Sequence, residues 1–172
     1  MLLTLILPLL VSAEPTDSWA VCMDAASDSA VAACTRLLSE DEALARYNRA
    51  NAWRELAFRY KAQAKAPDGP DPLGMALADY DRALVLRPGF AEALVNRGVA
   101  HAERRDFLSA IADYDAAIAL RPDLAEAWNN RSLAWHRAGH YDRALKDFDQ
   151  TIRLNKNYGN ALINRALPSL RP

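Results

Sequence analysis

Asp79, Asp113 and Asp147 follow one another at a constant step of 34 residues, and the sequence around them repeats in step. Ala78-Asp79-Tyr80-Asp81-Arg82-Ala83-Leu84 is answered by Ala112-Asp113-Tyr114-Asp115-Ala116-Ala117-Ile118 and by Lys146-Asp147-Phe148-Asp149-Gln150-Thr151-Ile152. A second string keeps the same period as Asn96-Arg97, Asn130-Arg131 and Asn164-Arg165. A fixed period of this length means stacked supersecondary units, because one unit cannot bury its apolar face alone and its neighbours must cover it. The architecture follows from that requirement. The ligand does not.

No stretch alternates apolar and polar residues over the length of a strand, so the reading is all-α. A long helical pattern runs from Asp41 to Lys65, with Leu44, Tyr47, Leu56 and Tyr60 among its larger residues. Pro67-Asp68-Gly69-Pro70-Asp71-Pro72 breaks it, since prolines remove helix donors and clash with the preceding turn. From Leu73 onward, helices of about a dozen residues alternate with brief punctuation. Arg87-Pro88-Gly89 and Arg121-Pro122-Asp123 separate units, while Arg104-Arg105-Asp106 and Ala138-Gly139-His140 mark tighter turns.

The pattern resembles the tetratricopeptide repeat, a 34-residue helix-turn-helix unit with recurring small-aromatic pairs and a closing proline. In the best-matching unit Trp128 opens the first helix, and Trp135 stands where the family places a tyrosine. Gly139 and Tyr141 form the turn, and Ala144 with Phe148 gives the second helix its small-large pair. In the preceding unit those roles fall to Leu94, Gly98, His101, Phe107, Ala110, Tyr114 and Pro122, and before it Leu73, Ala76, Tyr80 and Pro88 complete a second helix. The resemblance covers 41–167 and implies a right-handed α-solenoid of stacked antiparallel helix pairs, about three units plus a terminal helix. Two departures matter. Arg97, Arg131 and Arg165 replace the signature leucine, and the second helix of the first unit arrives 14 residues late, with the insertion near 61–74. Residues 168–172 are a short tail.

The amino-terminal part has a different character. Leu2 to Val11 is an apolar run too short to span a bilayer, and it ends at Val11-Ser12-Ala13. Residues 1–13 read as a secretory signal cut before Glu14, with no cysteine placed for a lipid anchor. The expected location is periplasmic or secreted. No Lys or Arg precedes the apolar core, which fits either a start further upstream or a weak signal; the alternative is a cytosolic chain with an apolar start. Residues 14–40 read as a helical hairpin that would bring Cys22 and Cys34 face to face. In an oxidising compartment a bridge closing so short a loop adds about 3 kcal/mol in the chain-entropy model. The other reading is two reduced cysteines buried as small hydrophobes. The string Ala30-Val31-Ala32-Ala33-Cys34-Thr35-Arg36 also resembles exported bacterial repeat proteins with such a segment before their first unit.

Chemistry is sparse. His136 and His140 stand four apart, but Arg137, Ala138 and Gly139 between them supply no general base, so solvent-facing or turn histidines are the expectation. Asp113 and Asp115 point to different helix faces. No catalytic constellation, metal site or cofactor site is expected. A formal net charge of −1 offers no field for nucleic acid or an anionic membrane, and no stable membrane insertion is expected after signal removal.

What remains is binding. The family's first helices line a concave groove that takes a segment of a partner protein. Mapped by register, the resemblance implies a groove lined by Tyr47, Asn51, Arg54 and Glu55, then Glu92, Val95, Asn96, Val99 and Glu103. Glu126, Asn129, Asn130, Leu133, His136 and Arg137 follow, with Ile163 and Asn164 at the end. Some members hold a carboxyl-terminal peptide with a clamp of lysine, arginine and asparagine. Here Tyr47 and Glu126 occupy the places of lysines, which argues against that clamp. The repeated asparagines Asn48, Asn96, Asn130 and Asn164 either bond a bound peptide backbone or simply belong to the repeat. Each repeated arginine is expected to pair with an aspartate of the preceding helix, Arg97 with Asp79 or Asp81 and Arg131 with Asp113 or Asp115. The expected function is a protein-interaction scaffold. The alternative is an assembly subunit packed through its outer helices or its ends.

Overall fold

The computed structural model describes residues 35, 41–64 and 69–156. The signal segment, Cys22, Cys34, Ile163, Asn164 and the terminal helix lie outside the described residues. Six helices are described: α1 (Glu42–Ala62), α2 (Pro72–Leu86), α3 (Ala91–Glu103), α4 (Phe107–Leu120), α5 (Ala125–Arg137) and α6 (Tyr141–Leu154). No strand occurs among the described residues.

Helix starts follow local chemistry. Asp41, Asp71 and Asp106 each accept a hydrogen bond from a first-turn backbone N–H, of Leu44 at 3.1 Å, Leu73 at 3.1 Å and Ser109 at 3.2 Å. Pro72 occupies the first turn of α2, where its missing N–H costs nothing. The first helix stops at Ala62, short of Lys65, because Ala64 takes a left-handed backbone with φ of 50°. At 21 residues it still exceeds α3 and α5, each of 13, and its final turns run past the stack.

Consecutive helices pair as α1 with α2, α3 with α4 and α5 with α6, and the pairs stack through α2 on α3 and α4 on α5. The inner helices α1, α3 and α5 also touch in sequence. Each pair closes on a buried aromatic at the repeated position: Tyr80, Tyr114 and Phe148 are all at most 1% exposed. Alanines surround them, with Ala50, Ala76 and Ala100 around Tyr80. Small residues let backbones approach, and the aromatic fills the space, with each full burial stabilising by about 1.5–3 kcal/mol. Gly98 is the extreme case. A Cβ there would lie 2.6 Å from the Tyr114 ring.

Candidate peptide groove

The inner face is built by α1, α3 and α5, and its two halves differ. At the α1 end the polar side chains satisfy one another. The Asn96 amide donates to the Tyr47 hydroxyl and to Asn51 Oδ1, both at 3.0 Å, and the Tyr80 hydroxyl donates to the same Asn51 oxygen at 2.5 Å. The Tyr47 ring lies 4.7 Å from Phe90 and 6.2 Å from Tyr80, centroid to centroid. Burial pushes the Tyr80 hydroxyl well above its ordinary pKa, so it stays a neutral donor. A ligand seated here would have to break a network that already exists.

The opposite edge is open. The overhanging end of α1 forms one wall of a pocket of about 1050 Å³ that runs beneath it across the ends of α3 and α5. Ala57, Phe58, Lys61 and Ala62 come from α1, Leu73 from α2, Ala102 and Glu103 from α3, and Arg105 and Phe107 from the next turn and α4; His136 and Arg137 close the far side. Phe58 is 61% exposed there. Glu103 faces Arg54 at 3.9 Å. Burial raises its carboxyl pKa, against the opposing pull of Arg54 and Lys61. Neither Arg105 nor Arg137 has an ion pair among the described residues.

The register-mapped residues fall in different environments. His136 and Arg137 line the pocket, and Arg54 reaches it through Glu103. Tyr47, Asn51 and Asn96 belong to the closed network. Val95 and Asn129 are 2% and 5% exposed, so they face the core and offer little surface to a ligand. Val99 packs on that core, and Asn130 and Leu133 are half-buried. Glu126 is exposed, while Glu92 is held by Arg121 at 2.9 Å. Phe58, Lys61, Leu73, Arg105 and Phe107 had no place in the register mapping. The signal for them was the late second helix of the first unit, whose extra turns supply the wall.

The asparagine positions do not form one ladder. Asn48 is buried, Asn96 is engaged with Tyr47 and Asn51, and Asn130 accepts from Asn129 at 3.4 Å. The arginines do form one. Arg97 reaches back to Asp81 at 2.7 Å and Arg131 to Asp115 at 2.6 Å, as the spacing suggested. Each also forks forward onto a buried aspartate of its own unit, Asp113 and Asp147 respectively. Arg49 does the same with Asp79 at 2.6 and 2.5 Å, so the repeated aspartates are the inner ends of a set of bidentate pairs. The ladder links adjacent units, and none of its members lines the pocket described above.

His136 meets Tyr141 edge-on and His140 meets Trp135 in the same way. Among the described residues no group of three or more His, Cys, Asp or Glu is placed to hold a metal. No described helix is long and apolar enough to cross a membrane.

Two family models described as tetratricopeptide repeat match the chain, over residues 75–125 and 125–158. A double mutant of MamA (RS-1) has a TM-score of 0.74 at 14% identity, covering 91% of this chain and 81% of its own. A thermophilic TPR protein of Thermus thermophilus has a TM-score of 0.70 at 17% identity, covering 84% and 73%. The first TPR of Spaghetti (RPAP3), bound to an HSP90 peptide, has a TM-score of 0.58 at 21% identity, covering 72% and 92%. No curated protein sequence matches the chain. Residues 75–158 match the tetratricopeptide repeat, and the chain folds as an all-α TPR-like solenoid.

Proposed function

We propose that the chain is a protein-interaction module that takes a segment of a partner protein on the inner face of its solenoid. The observation that carries this reading is the open pocket across the ends of α1, α3 and α5, with an exposed Phe58 at its wall. At about 1050 Å³ it exceeds the usual small-molecule pocket and suits several residues of peptide. Two neighbours in fold support the class of ligand: the first TPR of Spaghetti is bound to the HSP90 peptide SRMEEVD, and the second TPR domain of human RPAP3 to the HSP70 peptide SGPTIEEVD. The closed Tyr47–Asn51–Asn96 network argues that this chain grips its ligand elsewhere on the face. Export through residues 1–13 and a bridge between Cys22 and Cys34 complete the proposal, placing the module in an envelope or extracellular space.

Peptide display against the full chain tests the reading. Selected peptides should bind the parent and lose affinity for a folded variant carrying Leu133→Ala and Arg137→Ala. Peptides indifferent to those changes would move binding off the inner face. A second reading rests on Leu86, Leu120 and Leu154, which recur at the 34-residue step and are 38–48% exposed. They offer an outer apolar row through which an assembly subunit would pack.

A further inference from the structure

The pocket beneath the α1 overhang has a chemistry more specific than that of a general groove. Its apolar surface comes from Phe58, Leu73 and Phe107, and its cations are Lys61, Arg105 and Arg137. Glu103 is the single carboxylate in the lining, so the pocket carries a net charge of +2 with His136 neutral. The whole chain has a formal charge of −1, which makes this a local reversal of sign. The arginine ladder does not account for it, because Arg105 and Arg137 have no ion pair among the described residues. Several other arginines among the described residues are spent on aspartates and glutamates, as in Arg49, Arg87, Arg97, Arg121 and Arg131.

The turn here is the one the repeat makes again at Gly139, 34 residues on, where φ is 83°. Arg105 sits in the left-handed region at φ of 65°, a position usually given to glycine or asparagine. Its side chain turns into the pocket lining as a consequence of the tight turn between α3 and α4. The overhang itself exists only because α1 is eight residues longer than α3. A unit of ordinary length would end before Phe58 and Lys61, and the pocket would have no wall.

We propose that this pocket takes an acidic peptide segment carrying one large apolar side chain. The apolar side chain would lie against Phe58, Leu73 and Phe107, with carboxylates on either side of it meeting Lys61, Arg105 and Arg137. The proposal rests on the inner-face reading above and narrows it to one end of that face and one class of sequence. Charge complementarity selects the ligand. A basic or neutral segment would leave two of the three cations uncompensated, and a purely acidic one would leave Phe58 exposed to water.

The test uses the full chain and a short fluorescein-labelled peptide with a single phenylalanine flanked by glutamates, read by fluorescence anisotropy. Matched peptides carry serine for the phenylalanine, or lysines for the glutamates. The parent should bind the first peptide, and replacing its phenylalanine or its glutamates should weaken binding by about tenfold or more. Phe58→Ser should give a similar loss without changing the helical circular dichroism, since the ring is exposed. Lys61→Glu together with Arg137→Glu should transfer the preference to the lysine peptide. Affinity for the acidic peptide should fall with added salt.

Equal binding by parent and variants, or none by the parent, overturns the proposal. Display-selected peptides that depend on Leu133 but are neither acidic nor sensitive to Lys61 and Arg137 overturn it while leaving the inner-face reading intact. Self-association of the chain that Phe58→Ser abolishes, without peptide binding, would assign the pocket to a second copy and overturn it too.

Discussion

Arg97 grips Asp113 with two parallel hydrogen bonds, Nε to Oδ2 at 2.9 Å and Nη2 to Oδ1 at 2.5 Å, while its third nitrogen reaches Asp81 at 2.7 Å. One guanidinium thus ties the second helix of its own unit to that of the unit before. The planar fork is what permits it, since a lysine has no second parallel donor to offer. Arg131 repeats the arrangement with Asp147 and Asp115.

The two ends of this tie differ in worth. Asp113 is 7% exposed at its side chain and Asp81 is 62% exposed. Arg97→Met leaves Asp113 buried without its counter-charge and should destabilise by about 2–4 kcal/mol, somewhat below a fully buried pair because Arg97 is partly solvated. Asp81→Ala should cost less than about 1 kcal/mol. Urea denaturation of the two variants compares them directly, and equal losses would contradict the assigned roles.

Gly98→Ala would ordinarily favour a helix by nearly 1 kcal/mol. Here the added methyl meets the Tyr114 ring, which is 1% exposed and has no room to move. Net destabilisation of about 1–3 kcal/mol is expected. Gly89→Ala, with nothing within 4 Å of the new carbon, is the matched control in thermal unfolding.

Burial raises the hydroxyl pKa of both Tyr80 and Tyr114 above the ordinary value of 10.0. The folded state therefore holds their protons more tightly than the unfolded chain does. Their contribution is fully present below pH 10 and is lost as pH rises above it. Stability should decline in alkali, and Tyr114→Phe should flatten that decline. An unchanged slope in pH-dependent urea titrations would show that neither hydroxyl is linked to folding.

Burial along α1 falls from Ala43, Ala45, Ala50 and Ala52, all at most 6% exposed, to an exposed stretch at Lys61 and Ala62. Amide hydrogen exchange should follow that gradient, slow at Ala45–Ala52 and fast after Phe58. A bound acidic peptide should slow exchange in the overhang first.

The proposed export makes a separate demand. Protein recovered from the envelope or medium without reductant should begin at Glu14 and take up no thiol label after denaturation until it is reduced. A cytosolic product that retains Met1 and labels at two thiols would end both the signal and the bridge.

The period of 34 was enough to determine the helix pairs, their order and their stacking. It also identified the buried aromatics at positions 80, 114 and 148, because burial in a repeat recurs wherever the sequence does. The backward contacts of Arg97 and Arg131 were legible for the same reason. Their forward forks onto Asp113 and Asp147 were not, since which of two nearby aspartates a long side chain prefers depends on burial and approach angle. The proposed binding face was the least legible. Register placed Val95 and Asn129 on it, but a modest rotation of each helix within the stack decides whether a residue faces ligand or core. Only the tertiary structure set Phe58, Lys61, Arg105 and Arg137 around one pocket. Phe58 and Lys61 come from the overlong first helix, outside the repeat, and a period carries no information about the places where it is broken.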